Sequence, residues 1–287
     1  LSIDLSTDFI GYDHIEGGAS VQGLYVEGEE VLELKKGQEG WVVLDRTPLY
    51  GESGGQVGDR GVISGDQFEF EVLDTQKQGD ALIHRGVQNS GSLTVGMQVF
   101  VSGEIEERRA ITLNHSATHL LQATLKEVLG EHIKQAGSLV ASDRLRFDYT
   151  HFSPLTDKER VRIESRVNEK IRDNIQVDTQ EMDVDTAIKN GAVALFGEKY
   201  GDTVRVVDVP GFSKELCGGT HVTATGDIGM FRITSEGGIA SGVRRIEAVT
   251  GATAYNTIQA DQESLTAIRG LLKTPTNEEI TKLKKLL

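Results

Sequence analysis

The 287-residue sequence predicts an α+β fold: a small β-barrel or sandwich followed by a region of mixed helices and strands. Three observations lead there. Short apolar runs broken by glycine-rich turns fill residues 1 to about 100, the apolar period becomes helical from about Gly103, and helix-like and strand-like stretches alternate beyond Gly130.

The apolar runs at Ser20–Val26, Gly40–Asp45, Gln67–Leu73 and Val95–Ser102 read as strands bounded by glycine-rich breaks. Several short strands with few helical periods between them suit a small barrel. Within this part, Thr47–Gln56 (TPLYGESGGQ) carries the adjacent glycines Gly54 and Gly55 among small polar residues. That composition permits close backbone approach, and it is also the composition of an ordinary surface turn.

Leu113, Ala117, Leu120, Leu121, Thr124 and Val128 then form one apolar helical face, with Gly130 as its stop. On a 3.6-residue repeat His115 and His119 lie roughly opposite that stripe. Strands are expected at His132–Val140 and Arg144–Tyr149. A helix from Asp157 to about Asn174 follows, opened by a capping-box pattern at Thr156 and Glu159 and repeating Ile163, Val167 and Ile171 every four residues. Next come a strand at Val177–Met182, a short helix near Thr186–Asn190, and strands at Val204–Val209, Ile228–Ser235 and Val243–Val249. Beyond Gly251 the chain is helical and mixed in charge; Pro275 breaks it, and Asn277–Leu287 starts another helix.

The net charge of −14 is unevenly spread. Residues 1–100 hold 17 Asp/Glu against 6 Lys/Arg, a net of −11, and the remainder hold 27 against 24, a net of −3. The acidity thus sits on the N-terminal third, and the remainder admits a nucleic-acid partner without a broad basic patch that demands one. A single cysteine excludes an internal disulfide framework and fits a reducing compartment, the cytoplasm. No apolar run approaches the roughly 18 residues of a membrane span, and the first residues have no secretory pattern.

Two His/Cys pairs carry the chemistry. His115-Ser116-Ala117-Thr118-His119 is an HxxxH and Cys217-Gly218-Gly219-Thr220-His221 a CxxxH. Histidines four apart on a helix point the same way, so both imidazoles reach one ion, and a thiolate with a third imidazole completes a tetrahedral set suited to zinc. Each pair alone is weak: paired histidines often sit in polar clusters, and a buried cysteine often acts as a small hydrophobe. Gly218 and Gly219 let the second segment fold around an ion. Four protein ligands usually mark a closed structural site, yet structural fingers keep their pairs within a short span, unlike these. The base-deaminase signature is missing, and Ser116 stands where a zinc protease of the HExxH type has its glutamate.

Several further blocks occur in order: Asn114–Leu121 (NHSATHLL), Gln135–Val140 (QAGSLV), Leu145–Phe152 (LRFDYTHF), Ala194–Gly201 (ALFGEKYG), Glu215–Val222 (ELCGGTHV) and Gly242–Ala248 (GVRRIEA). Together they closely resemble the editing domain of the alanyl-tRNA synthetase family, and Thr47–Gly61 is similar to the small barrel that precedes it there. The resemblance covers essentially residues 5–250. It implies a β-barrel at 1–103, an editing domain with an antiparallel sheet and helices at 104–250, and a helical linker at 251–287 toward a further C-terminal domain. It also implies a piece of a longer synthetase chain, consistent with the Leu start and the unfinished last helix, and without the aminoacylation domain that charges tRNA.

The implied activity is hydrolysis of mischarged Ser-tRNA(Ala) and Gly-tRNA(Ala), with the acceptor end of tRNA(Ala) and the rest of the synthetase as partners. A synthesis pocket sized for alanine admits glycine and rejects serine poorly, so a second, hydrolytic pocket is needed. By matching position, His115, His119, Cys217 and His221 are implied zinc ligands. Gln135 is implied as the active-site glutamine and Thr118 as partner of the seryl hydroxyl. Ser138 and Gly218 line that pocket, Gly54 and Gly55 approach from the barrel, and Arg244 with Arg245 serves the terminal phosphate or a structural ion pair. Two mechanisms fit: zinc-assisted attack of water, which is favoured, or zinc holding the terminal adenosine while Gln135, Thr118 or a ribose hydroxyl positions the water. The competing readings are a tRNA-binding module with a purely structural zinc and a free-standing trans-editing deacylase.

Overall fold

The structure, a computed structural model, describes residues 3–194 and 201–287. The expected block at Ala194–Gly201 therefore falls mostly outside the described residues.

Six strands close into a barrel: β1 (Glu16–Val26), β2 (Glu39–Leu44), β3 (Gly61–Gly65), β4 (Phe68–Gln78), β5 (Ala81–Ser90) and β6 (Gln98–Gly103). Their order is β6-β3-β4-β5-β2-β1, and β1 returns to pair with β6, all antiparallel. Alternation drives this arrangement. In β6, Val99 and Val101 turn inward while Phe100 between them is exposed. The interior holds Leu24, Val42, Leu44, Ile63, Phe70 and Val72. Two of its strands, β3 and β5, lie outside the expected runs.

A buried histidine interrupts the apolar pattern of β5. His84 Nδ1 faces the Val42 carbonyl at 3.0 Å, so that nitrogen carries the proton. Its Nε2 consequently accepts from the Thr47 hydroxyl at 2.8 Å. Burial pushes its pKa down to about 4.

Helix α1 (Ile105–Leu129) leaves the barrel directly and ends at Gly130. Its Ala117, Leu120, Leu121 and Leu125 enter the main core. That core is covered on one side by a 4-stranded antiparallel sheet of order β7-β8-β13-β12, built from β7 (Gln135–Val140), β8 (Leu145–Thr150), β12 (Phe231–Ala240) and β13 (Val243–Thr250). The register sets Leu145 opposite Ala248 and Phe147 opposite Ile246, so the apolar residues of neighbouring strands share a face. Helix α2 (Asp157–Arg172) adds Ile163, Val167 and Ile171. Its capping box forms as expected: Thr156 Oγ1 accepts from the Glu159 amide at 3.2 Å, and the Thr156 amide donates to Glu159 Oε2 at 2.8 Å.

A smaller 3-stranded antiparallel sheet follows, of β9 (Asp178–Asp183), β10 (Thr203–Val209) and β11 (Ser213–Leu216), with α3 (Val184–Lys189) beside it. Strand β11 has no counterpart in the expected elements. Ile228 lies in a 3-10 turn, Thr225–Ile228, rather than in the strand expected at Ile228–Ser235. The chain ends in α4 (Gly251–Leu272) and α5 (Glu279–Leu286), on either side of the expected break at Pro275. No helix among the described residues is long and apolar enough to cross a membrane.

The barrel and the helix-and-sheet part meet along α1. Arg108, on the first turns of α1, forms a buried ion pair with Asp59 of the barrel side and donates to the carbonyls of Gly11 at 2.8 Å and Pro48 at 2.7 Å. The chain just before Asp59 packs on the sheet edge. The Val140 amide donates to the Gly55 carbonyl at 2.7 Å, and the Val57 amide to the Val140 carbonyl at 3.0 Å.

Candidate metal centre

Helix α1 is buried on two sides. The face opposite its apolar stripe carries His115 and His119, whose rings stack with centroids 5.4 Å apart. The segment leaving β11 lies against this face. Through it the donor atoms of His115, His119, Cys217 and His221 all come within 4.8 Å of one another, a group able to hold a metal ion. Cys217 Sγ lies 3.3 Å from His115 Nε2 and 3.2 Å from His221 Nε2. Donor-to-donor edges of about 3.5 Å follow from tetrahedral bonds of about 2.0 Å to nitrogen and 2.3 Å to sulfur. The two Cys217 edges are close to that, and all four donors lie within 4.8 Å of one another.

Each histidine is oriented from behind. His115 Nδ1 meets Gln56 Oε1 at 2.7 Å, His119 Nδ1 meets Glu215 Oε2 at 2.7 Å, and His221 Nδ1 meets Ser116 Oγ at 3.2 Å. Outer partners of this kind fix the ring and the tautomer of metal-binding histidines. With its Nδ1 taken, His119 is left with Nε2, which is buried and has no hydrogen-bond partner. An unpaired buried nitrogen costs about 1–3 kcal/mol, and an ion shared with the other donors would satisfy it. The residues present therefore fit a metal.

The electrostatics of Cys217 agree with a metal-binding thiolate. Burial pushes the Cys217 thiol up, but His115, His221 and His119 around it pull its pKa well below the ordinary thiol value. The thiolate is the form that binds metal. For His119, burial disfavours charge, yet Glu215 and Cys217 more than offset it and hold the pKa well above the ordinary imidazole value.

The backbone of the Cys217–His221 turn is pinned at three points. The Tyr12 hydroxyl donates to the Gly218 carbonyl at 2.6 Å, Arg205 Nη1 donates to the Gly219 carbonyl at 2.6 Å, and the Cys217 amide donates to the Arg205 carbonyl at 2.9 Å. The Arg205 guanidinium in turn stacks 4.0 Å over the Tyr12 ring. Gly219 is a steric necessity, because a Cβ there would collide with the His115 ring and stand 2.9 Å from Gln56 Oε1.

The other expected site residues fall into smaller groups. Gly55 has φ +84°, and a Cβ on it would come 2.8 Å from the Ser138 carbonyl oxygen, so Gly54, Gly55 and Ser138 are neighbours. Gln135 opens β7 opposite Tyr149, which itself lies opposite Arg244 across β8 and β13. Gln135 and Ser138 are half-buried, and Gly54 and Gly218 are exposed. Thr118 is buried, and its hydroxyl donates to the Asn114 carbonyl at 2.8 Å, one turn back. Arg244 forms a bidentate pair with Glu236, with Nη2 to Oε2 at 2.9 Å, and Arg245 a bidentate pair with Asp148 at 2.7 and 2.9 Å. Both arginines are thus engaged in ion pairs inside the sheet.

Gln56, Glu215, Arg205 and Tyr12 support the centre and were not singled out in the sequence. Gln56 and Glu215 stand directly in the TPLYGESGGQ and ELCGGTHV stretches, which is the only signal that could have marked them.

Residues 2–109 match the family described as tRNA synthetases class II (A), and residues 204–247 match the threonyl and alanyl tRNA synthetase second additional domain. Over the whole chain, the sequence is 52% identical to an alanine–tRNA ligase of Pseudomonas fluorescens and 52% to one of Pseudomonas savastanoi. It is 51% identical to one of Shewanella loihica. The chain belongs to the alanyl-tRNA synthetase family. It spans about a third of the length of these relatives. The closed barrel, the antiparallel sheets and the second additional domain agree with the α+β arrangement that the resemblance implies.

Proposed function

We propose that this chain is the editing portion of an alanyl-tRNA synthetase, holding zinc at His115, His119, Cys217 and His221 and hydrolysing the ester of Ser-tRNA(Ala) and Gly-tRNA(Ala). The observation that carries the reading is the convergence of four zinc-type donors in a family whose synthesis pocket cannot reject serine or glycine well by size alone. Three imidazoles and one thiolate favour zinc over the harder cations that prefer oxygen. When bound, zinc would supply Lewis-acid polarisation beside the ester.

The chain's own side chains divide the remaining work. The Thr118 proton is committed to the Asn114 carbonyl, so its oxygen is left to accept. A seryl hydroxyl donates to it, and an alanyl methyl has nothing to donate; this is the basis on which serine is chosen over alanine, and it does not extend to glycine, which also lacks a hydroxyl. Gln135, with an amide but no proton-accepting group of useful pKa, orients the attacking water or the ester carbonyl rather than removing a proton. The Gly54–Gly55 backbone and Ser138 form the wall against which the aminoacyl group lies. Arg244 of β13, paired with Glu236 of β12, stands across Tyr149 of β8 from Gln135. The acceptor end of tRNA(Ala) and the rest of the synthetase are the partners this assigns.

A second reading has one observation in its favour: four protein donors describe a closed site, the usual form of a structural metal. On that reading the chain binds tRNA and the zinc only holds the turn. Incubation with Ser-tRNA(Ala), Gly-tRNA(Ala) and Ala-tRNA(Ala) separates the two. Release of serine and glycine with alanine retained supports editing. Binding of the tRNA without release of any amino acid supports the second reading.

A further inference from the structure

The barrel contributes a side chain to the metal centre. Gln56 is fully buried, 59 residues from His115 and 164 from Thr220 in sequence, and touches both. Its Oε1 accepts from the Thr220 amide at 3.0 Å, and its Nε2 donates to Thr220 Oγ1 at 3.2 Å. A backbone amide can only donate, so the Thr220 contact dictates which way round the Gln56 amide lies. With Oε1 so placed, His115 Nδ1 at 2.7 Å must carry the proton. The lone pair of His115 is then on Nε2, toward Cys217 Sγ.

The loop that presents Gln56 is held at several points. It is tied to β7 through the Gly55 carbonyl and the Val57 amide, and to α1 through the Asp59–Arg108 pair. A residue three positions from a barrel-side carboxylate thus sets the tautomer of one donor and anchors the turn that carries two others.

We infer that Gln56 is a positioning residue for the metal, acting through His115 and Thr220, and that metal binding by the helix-and-sheet part depends on the docked barrel. This rests on the proposed metal centre and goes beyond it, since it requires a residue that touches no metal. Losing an outer partner of a metal-bound histidine weakens binding about 10- to 100-fold.

The test is Zn2+ affinity by competition with a chromophoric chelator, with Co2+ spectra as the geometric readout, on the whole chain. Gln56→Leu fills the space but removes the acceptor; Gln56→Glu keeps an acceptor for both His115 Nδ1 and the Thr220 amide. The expected result is about 10- to 100-fold weaker Zn2+ binding and a changed Co2+ spectrum in Gln56→Leu, with affinity recovered in Gln56→Glu. Native affinity in Gln56→Leu would overturn the inference and leave the metal centre intact. Equal weakening in both variants would also overturn it, since packing rather than the acceptor would then govern. A native chain that binds no Zn2+ would remove the metal centre itself, and the inference with it.

Discussion

The Glu215 carboxylate lies 2.7 Å from His119 Nδ1, both groups buried, in a contact that spans 96 residues of sequence. Glu215 is itself steadied by the Ser213 hydroxyl, which donates to its other oxygen at 3.1 Å. The carboxylate therefore turns the His119 ring so that Nε2 faces Cys217 and His221. Glu215→Ala is expected to weaken Zn2+ binding about 10- to 100-fold, while Glu215→Gln, which keeps an oxygen acceptor, loses less. Chelator competition on the purified chain checks both.

Arg108 and Asp59 fasten the barrel to the start of α1. Asp59 also accepts from the Tyr50 amide at 2.7 Å, so removing either partner strands several buried polar groups. Arg108→Ala is expected to cost about 3–5 kcal/mol in denaturant unfolding, the usual penalty for leaving one member of a buried pair uncompensated. A loss below about 1 kcal/mol would show that the pair contributes no more than a surface contact.

His84 gives the barrel a defined acid sensitivity. Its pKa falls from 6.5 to about 4 on folding, so between those values the unfolded chain binds the extra proton and the folded chain does not. The stability contributed by neutral His84 is complete above about pH 6.5 and is lost as the pH falls through about 4. The full effect is of order 3 kcal/mol. His84→Asn is expected to flatten the unfolding free energy across that window, measured by denaturant titration at successive pH values.

Gln135, which we propose acts on the ester and not on the metal, allows the two to be tested apart. Gln135→Ala is expected to slow release of serine from Ser-tRNA(Ala) by about 100-fold, the order found when a group positioned at the reacting ester is removed. Zinc content should be unchanged. Unaltered deacylation in this variant would remove Gln135 from the site.

What the sequence made legible follows the range of the interactions involved. The Thr156–Glu159 capping box and the Gly130 stop are local, and both appear where their residues place them. His115 and His119 share a helix face by period alone, and the CxxxH turn was recognisable as its complement. Strands β3 and β5 escaped because small or polar residues interrupt their apolar pattern, Gly61 and Ser64 in one and His84 and Gly86 in the other. His84 is buried only because Val42 and Thr47, from elsewhere in the barrel, satisfy both its nitrogens. Gln56 and Glu215 likewise acquire their roles across 59 and 96 residues, where local periodicity carries no signal. The paired spacing and the resemblance together marked the proposed metal donors, but not the side chains that aim them.

The most direct measurement is the metal content of the purified chain beside its Cys217→Ala variant, with serine release from Ser-tRNA(Ala) followed on the same samples. About one zinc per native chain is expected, with both the metal and the release of serine lost in the variant. A native chain without zinc, or a Cys217→Ala chain that keeps its metal and its full activity, would contradict zinc-dependent editing.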